Sequence, residues 1–166
     1  MQIRLAERKD IDQLIRMRWD FTFEDYEEGT FSDEDYEEGT FSEKDYPEFE
    51  KECRFFLEEA IEGDIWYIWI AEDHGKVVSH MYIERIQKVP RPGRITYPFA
   101  YMTNVYTMPE YRGKGVGSRL ITAINTWIEE NHYEFIIVWP SEEGVEFYKR
   151  NGYKHCNAPM EYFPQN

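Results

Sequence analysis

The chain has 166 residues, 42% of them hydrophobic and 17% aromatic, and a formal net charge of −14 at pH 7. This length and apolar content predict a single domain over residues 1–166 with a sizeable core. The acidic charge disfavours nucleic-acid binding, and no apolar run reaches the roughly 18 residues of a membrane span. Because no apolar signal segment opens the chain, we expect a cytoplasmic location. The spacing of the two cysteines and four histidines predicts no metal site.

The excess negative charge is confined to one segment. Residues 20–62 contain 18 acidic and 3 basic residues, whereas the rest of the chain contains 15 acidic and 16 basic residues. Within it, a ten-residue unit at 30–39 begins again at 40–46, and a degenerate copy at 21–29 precedes both. Because ten residues are too few for a solenoid unit, the repeat indicates a duplication that lengthened an acidic loop, at about 22–46.

The first part of the chain alternates between strand and helix patterns. The first predicted helix is indicated by five residues that follow a helical period, which are Ile11, Leu14, Ile15, Arg18 and Trp19. One face of the second helix carries five apolar residues, which are Phe49, Cys53, Phe56, Leu57 and Ile61. The predicted elements in chain order are a strand at 2–6, helices at about 9–21 and 47–62, antiparallel strands at 65–72 and 76–87 joined by a turn at 73–75, and a strand at 99–107.

A glycine-rich segment follows the strand at 99–107 and reads Tyr111-Arg112-Gly113-Lys114-Gly115-Val116-Gly117-Ser118. A glycine-rich turn that leads into a helix leaves backbone N–H groups unpaired at the positive end of the helix dipole. Glycine also lets the backbone approach a ligand closely, while Arg112, Lys114 and Arg119 add positive charge. The segment therefore predicts a site for a phosphate or pyrophosphate group.

The last third of the chain predicts a second strand and helix. A continuous apolar run at 135–139 is typical of a strand that is buried on both faces beside a parallel neighbour. Pro140 ends this strand, and Ser141 is predicted to cap the last helix. We expect the tail at 155–163 to add a final short strand.

The spacing of the glycines fits neither of two common phosphate-binding motifs. The segment lacks the Gly-Lys-Ser/Thr ending of a P-loop, and it is not in the first βα unit, where a Rossmann fingerprint belongs. Instead, Arg112-x-x-Gly115-x-Gly117 resembles the acetyl-CoA pyrophosphate loop, Arg/Gln-x-x-Gly-x-Gly/Ala, of the GCN5-related N-acetyltransferase (GNAT) superfamily.

A second stretch, at 141–153, is similar to the late helix of the same superfamily. That helix commonly reads Asn-x-x-Ala-x-x-x-Tyr-x-x-x-Gly-Phe. Here Tyr148 and Gly152 match, Tyr153 replaces the phenylalanine, and Ser141 replaces the asparagine. The two stretches together cover residues 99–153.

The resemblance implies a fold and a co-substrate. The fold is a single α/β domain of order βαα-βββ-αβ-αβ, with a mixed, mostly antiparallel sheet, a splayed parallel strand pair and helices on both faces. The co-substrate is acetyl-CoA, without a metal. The resemblance assigns its binding to the strand end, the loop and the late helix, through Val105, Tyr106, Thr107, Arg112, Gly113, Lys114, Gly115, Val116, Gly117, Ser118 and Ser141.

The resemblance also implies direct acetyl transfer to an amine, with Tyr148 as the general acid for the leaving thiolate. The general base stays open. Many relatives carry a glutamate eleven residues before the first motif position, where this chain has Tyr101. Glu84, His80 and Tyr101 are candidates for the base, with Asn104 as a possible relay through water.

In this superfamily the two helices after the first strand form one wall of the acceptor site. Because this region is acidic here, we expect a cationic small-molecule amine, such as a polyamine or an aminoglycoside-like antibiotic. Two alternatives stay open. One is acetylation of a protein or peptide amine, and the other is a non-catalytic CoA-binding or acidic interaction module. We expect a monomer or a homodimer.

Overall fold

The structure is a computed structural model that describes residues 1–28 and 42–164, with side chains described at 1–24 and 42–164. Its main elements in chain order are β1 (Gln2–Leu5), α1 (Ile11–Glu28), α2 (Tyr46–Glu62), β2 (Trp66–Asp73), β3 (Lys76–Ile86), β4 (Phe99–Thr107), α3 (Val116–Glu130), β5 (Ile136–Val138) and α4 (Val145–Arg150). Short 3-10 helices at Arg8–Asp10, Glu43–Asp45 and Pro109–Tyr111 precede α1, α2 and the glycine-rich loop.

The five strands form one sheet in the order β1-β2-β3-β4-β5. The first four pair antiparallel, and β4 pairs parallel to β5. Alternation along the strands gives the sheet two apolar faces. One face packs on α1 and α2 around Leu14, Leu57 and Tyr82, and the other packs on α3 around Met102 and Ile124. This arrangement confirms the predicted mixed α/β fold with helices on both faces and a parallel strand pair.

Helix α1 is longer than predicted. It continues to Glu28, whereas the helical period indicated an end at about residue 21. The ring of Phe23 contacts Trp19 at 5.1 Å between centroids, so the apolar face of the helix extends past that point. The stretch at 22–28, predicted as the start of the acidic loop, is therefore helical, and most of the repeat lies outside the described residues.

The end of the chain differs from the prediction. Strand β5 is three residues long and only half-buried, with Phe135 and Trp139 at its ends 48% and 56% exposed. The expectation of a strand buried on both faces is therefore wrong. The expected final strand at 155–163 is also wrong, because no strand forms between residues 151 and 164. Pro159 cannot donate a backbone hydrogen bond, and β5 is left as the edge of the sheet.

The predicted cap of the last helix is also shifted. Helix α4 begins at Val145 with Gly144 as its N-cap. The Ser141 hydroxyl accepts a hydrogen bond from the Gly144 N–H at 3.3 Å, so it stabilises the turn that precedes the helix. Ser141 therefore stabilises the turn before α4 and is not the N-cap of that helix.

Candidate active site

A cleft of about 970 Å³ opens between the ends of β4 and β5 and continues beneath α1 and α2. Its lining near the glycine-rich loop and α4 includes Val105, Tyr106, Thr107, Arg112, Ser141, Phe147 and Tyr148. Its lining on the helix side includes Arg18, Phe21, Glu24, Phe49, Glu52, Cys53, Phe56, Trp66 and Tyr82. Tyr101 and Asn104 lie on the strand that joins the two sides. One cleft thus contains the predicted strand residues, the proposed acid and a second wall from the first two helices.

The cleft exists because β4 and β5 separate. Their pairing ends at Met102 and Val138, after three register pairs. Beyond Met102, β4 carries a bulge. Tyr82 of β3 pairs with Thr103 and His80 pairs with Tyr106, so β4 has one extra residue between the two pairs. Asn104 lies in this bulge at a φ of 47°, a left-handed conformation that bends the strand. The β5-facing backbone edge of 103–107 is left open to an extended ligand, as the resemblance predicted for the pantetheine arm.

The glycine-rich loop adopts the conformation that its composition predicts. Gly113 and Gly115 have φ values of 69° and 76°, and no atom lies within 4 Å of where a Cβ would be on either residue. The Arg119 N–H donates to the Gly115 carbonyl at 3.1 Å, so α3 starts directly after the loop. The first N–H groups of this helix have no intrahelical acceptor. The loop therefore fits a pyrophosphate group at the helix N-terminus.

The close packing of the loop against α4 explains the third glycine. A Cβ on Gly117 would lie 3.2 Å from the Phe147 ring, so a side chain here would displace that ring. Ser118 accepts a hydrogen bond from the Asn151 side chain at 3.4 Å. The start of α3 is thereby fixed on the late helix, and Val116 is buried.

Arg112 has an additional contact that sequence reasoning missed. Its guanidinium forms an ion pair with Glu24 of α1, and its Nε–H donates to the Thr107 carbonyl at 2.8 Å. It also lies over the Tyr106 ring, 5.5 Å from the centroid. Lys114 is exposed beside the Tyr111 ring, at 5.7 Å. Arg112 therefore connects the cofactor loop to the first helix, and no local pattern could have predicted a partner so distant in sequence.

Tyr148 projects from α4 into the cleft. Burial of its ring raises its pKa to about 12, so the phenol keeps its proton at neutral pH. Its hydroxyl makes no hydrogen bond to any residue that the structure describes, although the residue lines the cleft. This free donor is the property that a general acid requires.

Of the four candidates for the base or its relay, two line the cleft and two lie outside its lining. Tyr101 and Asn104 line the cleft, and Tyr101 packs edge-on against Trp139 at 5.0 Å. Glu84 pairs with Tyr101 in the β3–β4 register but lies outside the lining. His80 is fully buried behind the strand.

His80 is a neutral structural residue in this fold. Burial lowers its pKa to about 4, and its Nδ1–H donates to the Asn104 carbonyl at 2.8 Å. Its Nε2 is therefore an unprotonated acceptor, and this atom has no hydrogen-bond partner. The histidine fixes the bulge of β4 and is poorly suited to accept a proton at neutral pH.

The resemblance implied that the first two helices form one wall of the acceptor site, but no residue of that wall was assigned from sequence. Phe49, Cys53 and Phe56, which line the cleft, share the predicted apolar face of α2. In the sequence, Arg18 follows the apolar period of α1. A charged residue at such a position was the signal from which a place in the site could have been predicted. Burial raises the pKa of Cys53 to about 11, so this side chain is a thiol at neutral pH.

Within residues 1–24 and 42–164, no three histidine, cysteine or acidic side chains are grouped as metal ligands. None of the described helices is long and apolar enough to span a membrane.

Several solved structures share the fold of this chain. The chain is similar to a predicted acetyltransferase of Clostridium acetobutylicum solved with acetyl-CoA, with 22% identity over 98% of this chain and 95% of that one and a TM-score of 0.74. A GCN5-related N-acetyltransferase of Ralstonia eutropha gives 17% identity, coverage of 98% and 97%, and a TM-score of 0.71. Glucosamine-6-phosphate N-acetyltransferase of Arabidopsis thaliana gives 18% identity, coverage of 98% of this chain and 97% of that one, and a TM-score of 0.65.

These three likenesses show the fold. No curated protein matches the chain. The family model for the acetyltransferase (GNAT) domain, however, matches residues 2–156. Because that match covers most of the sequence, and because the cleft and loop fit acetyl-CoA, the chain belongs to the GNAT family and is an acetyl-CoA-dependent N-acetyltransferase.

Proposed function

We propose that the chain transfers an acetyl group directly from acetyl-CoA to the primary amine of a small cationic molecule, which binds between α1, α2 and β4. The observation that carries this proposal is the continuity of the cleft. It extends from Tyr148 to Glu52, so a co-substrate on one side and an amine on the other can meet beside β4.

The co-substrate side is held by backbone groups and by charge. Val105, Tyr106 and Thr107 offer the open strand edge to the pantetheine arm, and residues 113–118 offer N–H groups to the pyrophosphate. The exposed ammonium of Lys114 adds positive charge to the loop. An N–H near Tyr106 polarises the thioester carbonyl, which gains negative charge as the amine attacks.

The reaction needs a neutral amine and a protonated leaving group. An alkylamine with a pKa of about 10.4 is roughly 0.04% neutral at pH 7, so a proton must leave the nitrogen. We assign to Tyr101 and Asn104 a relay through water that carries this proton to bulk solvent, and the neutral amine then attacks. The nitrogen forms a bond to the carbonyl carbon, the carbon–sulfur bond breaks, and the sulfur receives the Tyr148 proton, which solvent then replaces.

The acceptor side favours an amine that arrives as an ammonium ion. Glu52 lines this side, is exposed and has no basic partner within 4 Å among the described residues. Phe49, Phe56 and Trp66 line the wall around it and add aromatic faces, which attract cations. The segment 20–62, which supplies both helices, carries the acidic excess of the chain.

A thiol-release assay with acetyl-CoA and a panel of amines tests this proposal. The panel contains polyamines, aminoglycosides, free amino acids and basic peptides, and mass spectrometry of the products identifies the acetylated compound. We expect release of CoA that depends on one class of small amine and rises with its concentration. Release that is the same with and without every amine, or transfer to peptides alone, would contradict the proposal.

A further inference from the structure

Arg18 is a half-buried cation in the acceptor side of the cleft. Its Nη1 lies 3.4 Å from the Asn104 Oδ1, and its guanidinium lies 5.4 Å from the centroid of the Phe21 ring. Within the described part of the chain, no carboxylate oxygen lies within 4 Å of it. None of its five N–H donors therefore has a charged acceptor among the described residues.

Arg16, two residues earlier on the same helix, has the carboxylate partner that Arg18 lacks among the described residues. It is exposed and forms an ion pair with Asp20 at 2.9 Å, an i,i+4 contact. Arg18 instead lines the cleft with Cys53 and Tyr82, and burial raises the pKa of each of these two groups. Among the described residues this cation has no carboxylate partner, and a bound anion would supply the missing acceptor.

We infer that the acceptor carries a carboxylate as well as its amine, and that Arg18 binds this carboxylate. The inference rests on the proposed acetyl transfer, but it replaces the cationic acceptor by a zwitterion, in which only the reacting ammonium group is cationic. The planar guanidinium matches a carboxylate through two parallel hydrogen bonds. Its contact with Asn104 places that carboxylate beside the bulge of β4, next to the region where the amine reacts. The two groups are thus close together, as they are on the α-carbon of an amino acid.

The rest of the pocket defines the side chain. Phe21, Phe49, Phe56 and Trp66 line the acceptor side, so an apolar or aromatic group is accommodated there. The Glu52 carboxylate lines the same side and attracts the ammonium group. The acceptor class is therefore a free amino acid with an apolar or aromatic side chain. A polyamine would instead bring a second cation to Arg18.

Matched substrates test this inference without any variant. The values of kcat/KM with acetyl-CoA are compared for phenylalanine and phenethylamine, and for leucine and isoamylamine, which differ only by the carboxylate. We expect each amino acid to exceed its decarboxylated partner by roughly tenfold to a hundredfold, the range for a hydrogen-bonded ion pair. Equal values, or faster acetylation of the amines or of spermidine, would overturn the inference.

Variants then assign the effect to Arg18. Arg18→Gln should reduce the preference for the amino acids by at least tenfold and leave the KM for acetyl-CoA unchanged. Arg18→Lys should retain part of the preference, because the charge remains while the planar fork is lost. Arg16→Gln is the matched control and should change neither quantity. A preference that survives Arg18→Gln would contradict the role of Arg18.

A binding measurement separates this inference from the proposed function. In the presence of CoA, phenylalanine should raise the melting temperature of the protein, while phenethylamine at the same concentration should raise it less. Equal shifts would overturn the inference even if acetyl transfer to amines is observed. Conversely, a shift specific to the amino acid without acetyl transfer would support the carboxylate site and contradict the proposed reaction.

Discussion

Glu24 of α1 accepts a hydrogen bond from the Tyr106 hydroxyl at 3.2 Å while it forms an ion pair with Arg112. This contact joins the acceptor wall to the cofactor loop across the end of β4. Burial, together with the adjacent Glu24, raises the pKa of Tyr106, so its phenol remains a donor. The carboxylate thus competes with any phosphate for the guanidinium of Arg112.

Replacement of Glu24 should strengthen acetyl-CoA binding. In Glu24→Gln, the negative charge near the pyrophosphate loop is removed and Arg112 is released for a phosphate oxygen, so the KM for acetyl-CoA should fall by roughly threefold to tenfold. The ion pair is partly exposed, so the free energy of unfolding should fall by at most about 1 kcal/mol. Steady-state kinetics and urea unfolding measure the two effects. The control is Glu146→Gln on α4, whose partner is Lys149. A higher KM in Glu24→Gln alone would mean that the pair positions Arg112 for the cofactor.

Removal of the Tyr148 hydroxyl should slow the chemical step. Tyr148→Phe loses the proton donor for the thiolate, so kcat should fall by about a hundredfold with little change in the KM for acetyl-CoA. Because its pKa is about 12, no loss of kcat from this group should appear between pH 6 and about 10.

Tyr153→Phe is the matched control for Tyr148. Its ring lies 5.6 Å from that of Tyr148, but its hydroxyl donates to the Asn125 Oδ1 at 2.8 Å. This variant should lose about 1 kcal/mol of unfolding free energy and keep its kcat. An equal fall of kcat in both variants would exclude a specific acid role for Tyr148.

Gly115→Ala should damage the cofactor loop through backbone strain. Its φ of 76° costs a residue with a side chain about 1–2 kcal/mol, although there is space for the Cβ. The loop should shift, and the KM for acetyl-CoA should rise severalfold. Gly75→Ala has a similar φ of 83° and open space, but it lies in the β2–β3 turn. This control should lose comparable stability without a change in KM. A KM effect of the same size at Gly75 would refute a local role for the loop.

His80 should make stability depend on pH. Its pKa is about 4 in the folded protein and about 6.5 when unfolded, so the unfolded chain takes up the proton first as pH falls. The free energy of unfolding should therefore decrease from about pH 6.5 to pH 4, by about 3 kcal/mol from this group. Urea unfolding of the wild type and of His80→Gln at pH 7.5 and 4.0 measures the difference. Parallel losses in both proteins would contradict the assignment.

The residues with local signals were predictable from sequence. Strand β4 has the predicted bounds, and the glycines at 113 and 115 have the left-handed φ values that a turn into a helix requires. Such features depend on neighbours within a few residues. The conformation of the loop at 112–117 was therefore predictable from local sequence, and its binding of the co-substrate stays a prediction.

Features that depend on distant contacts were not predictable. The pairing of Arg112 with Glu24 joins residues far apart in sequence, and no local period encodes it. The apolar run of β5 indicated burial on both faces, but burial of a face depends on elements packed above and below the sheet, and β5 is only half-buried at the sheet edge. Arg18 interrupts the apolar face of α1, yet only the fold places it in a cleft.

A single-turnover experiment with acetyl-CoA labelled in its acetyl group tests the central claim, direct transfer from acetyl-CoA to a small amine. The reaction is quenched during the first turnover, and intact protein and small molecules are analysed by mass spectrometry. We predict that the label passes to the amine and never appears on the protein, because the Cys53 thiol is protonated in its buried site. Label on Cys53 before the amine is acetylated would contradict direct transfer. So would release of the label as free acetate at the same rate with and without the amine.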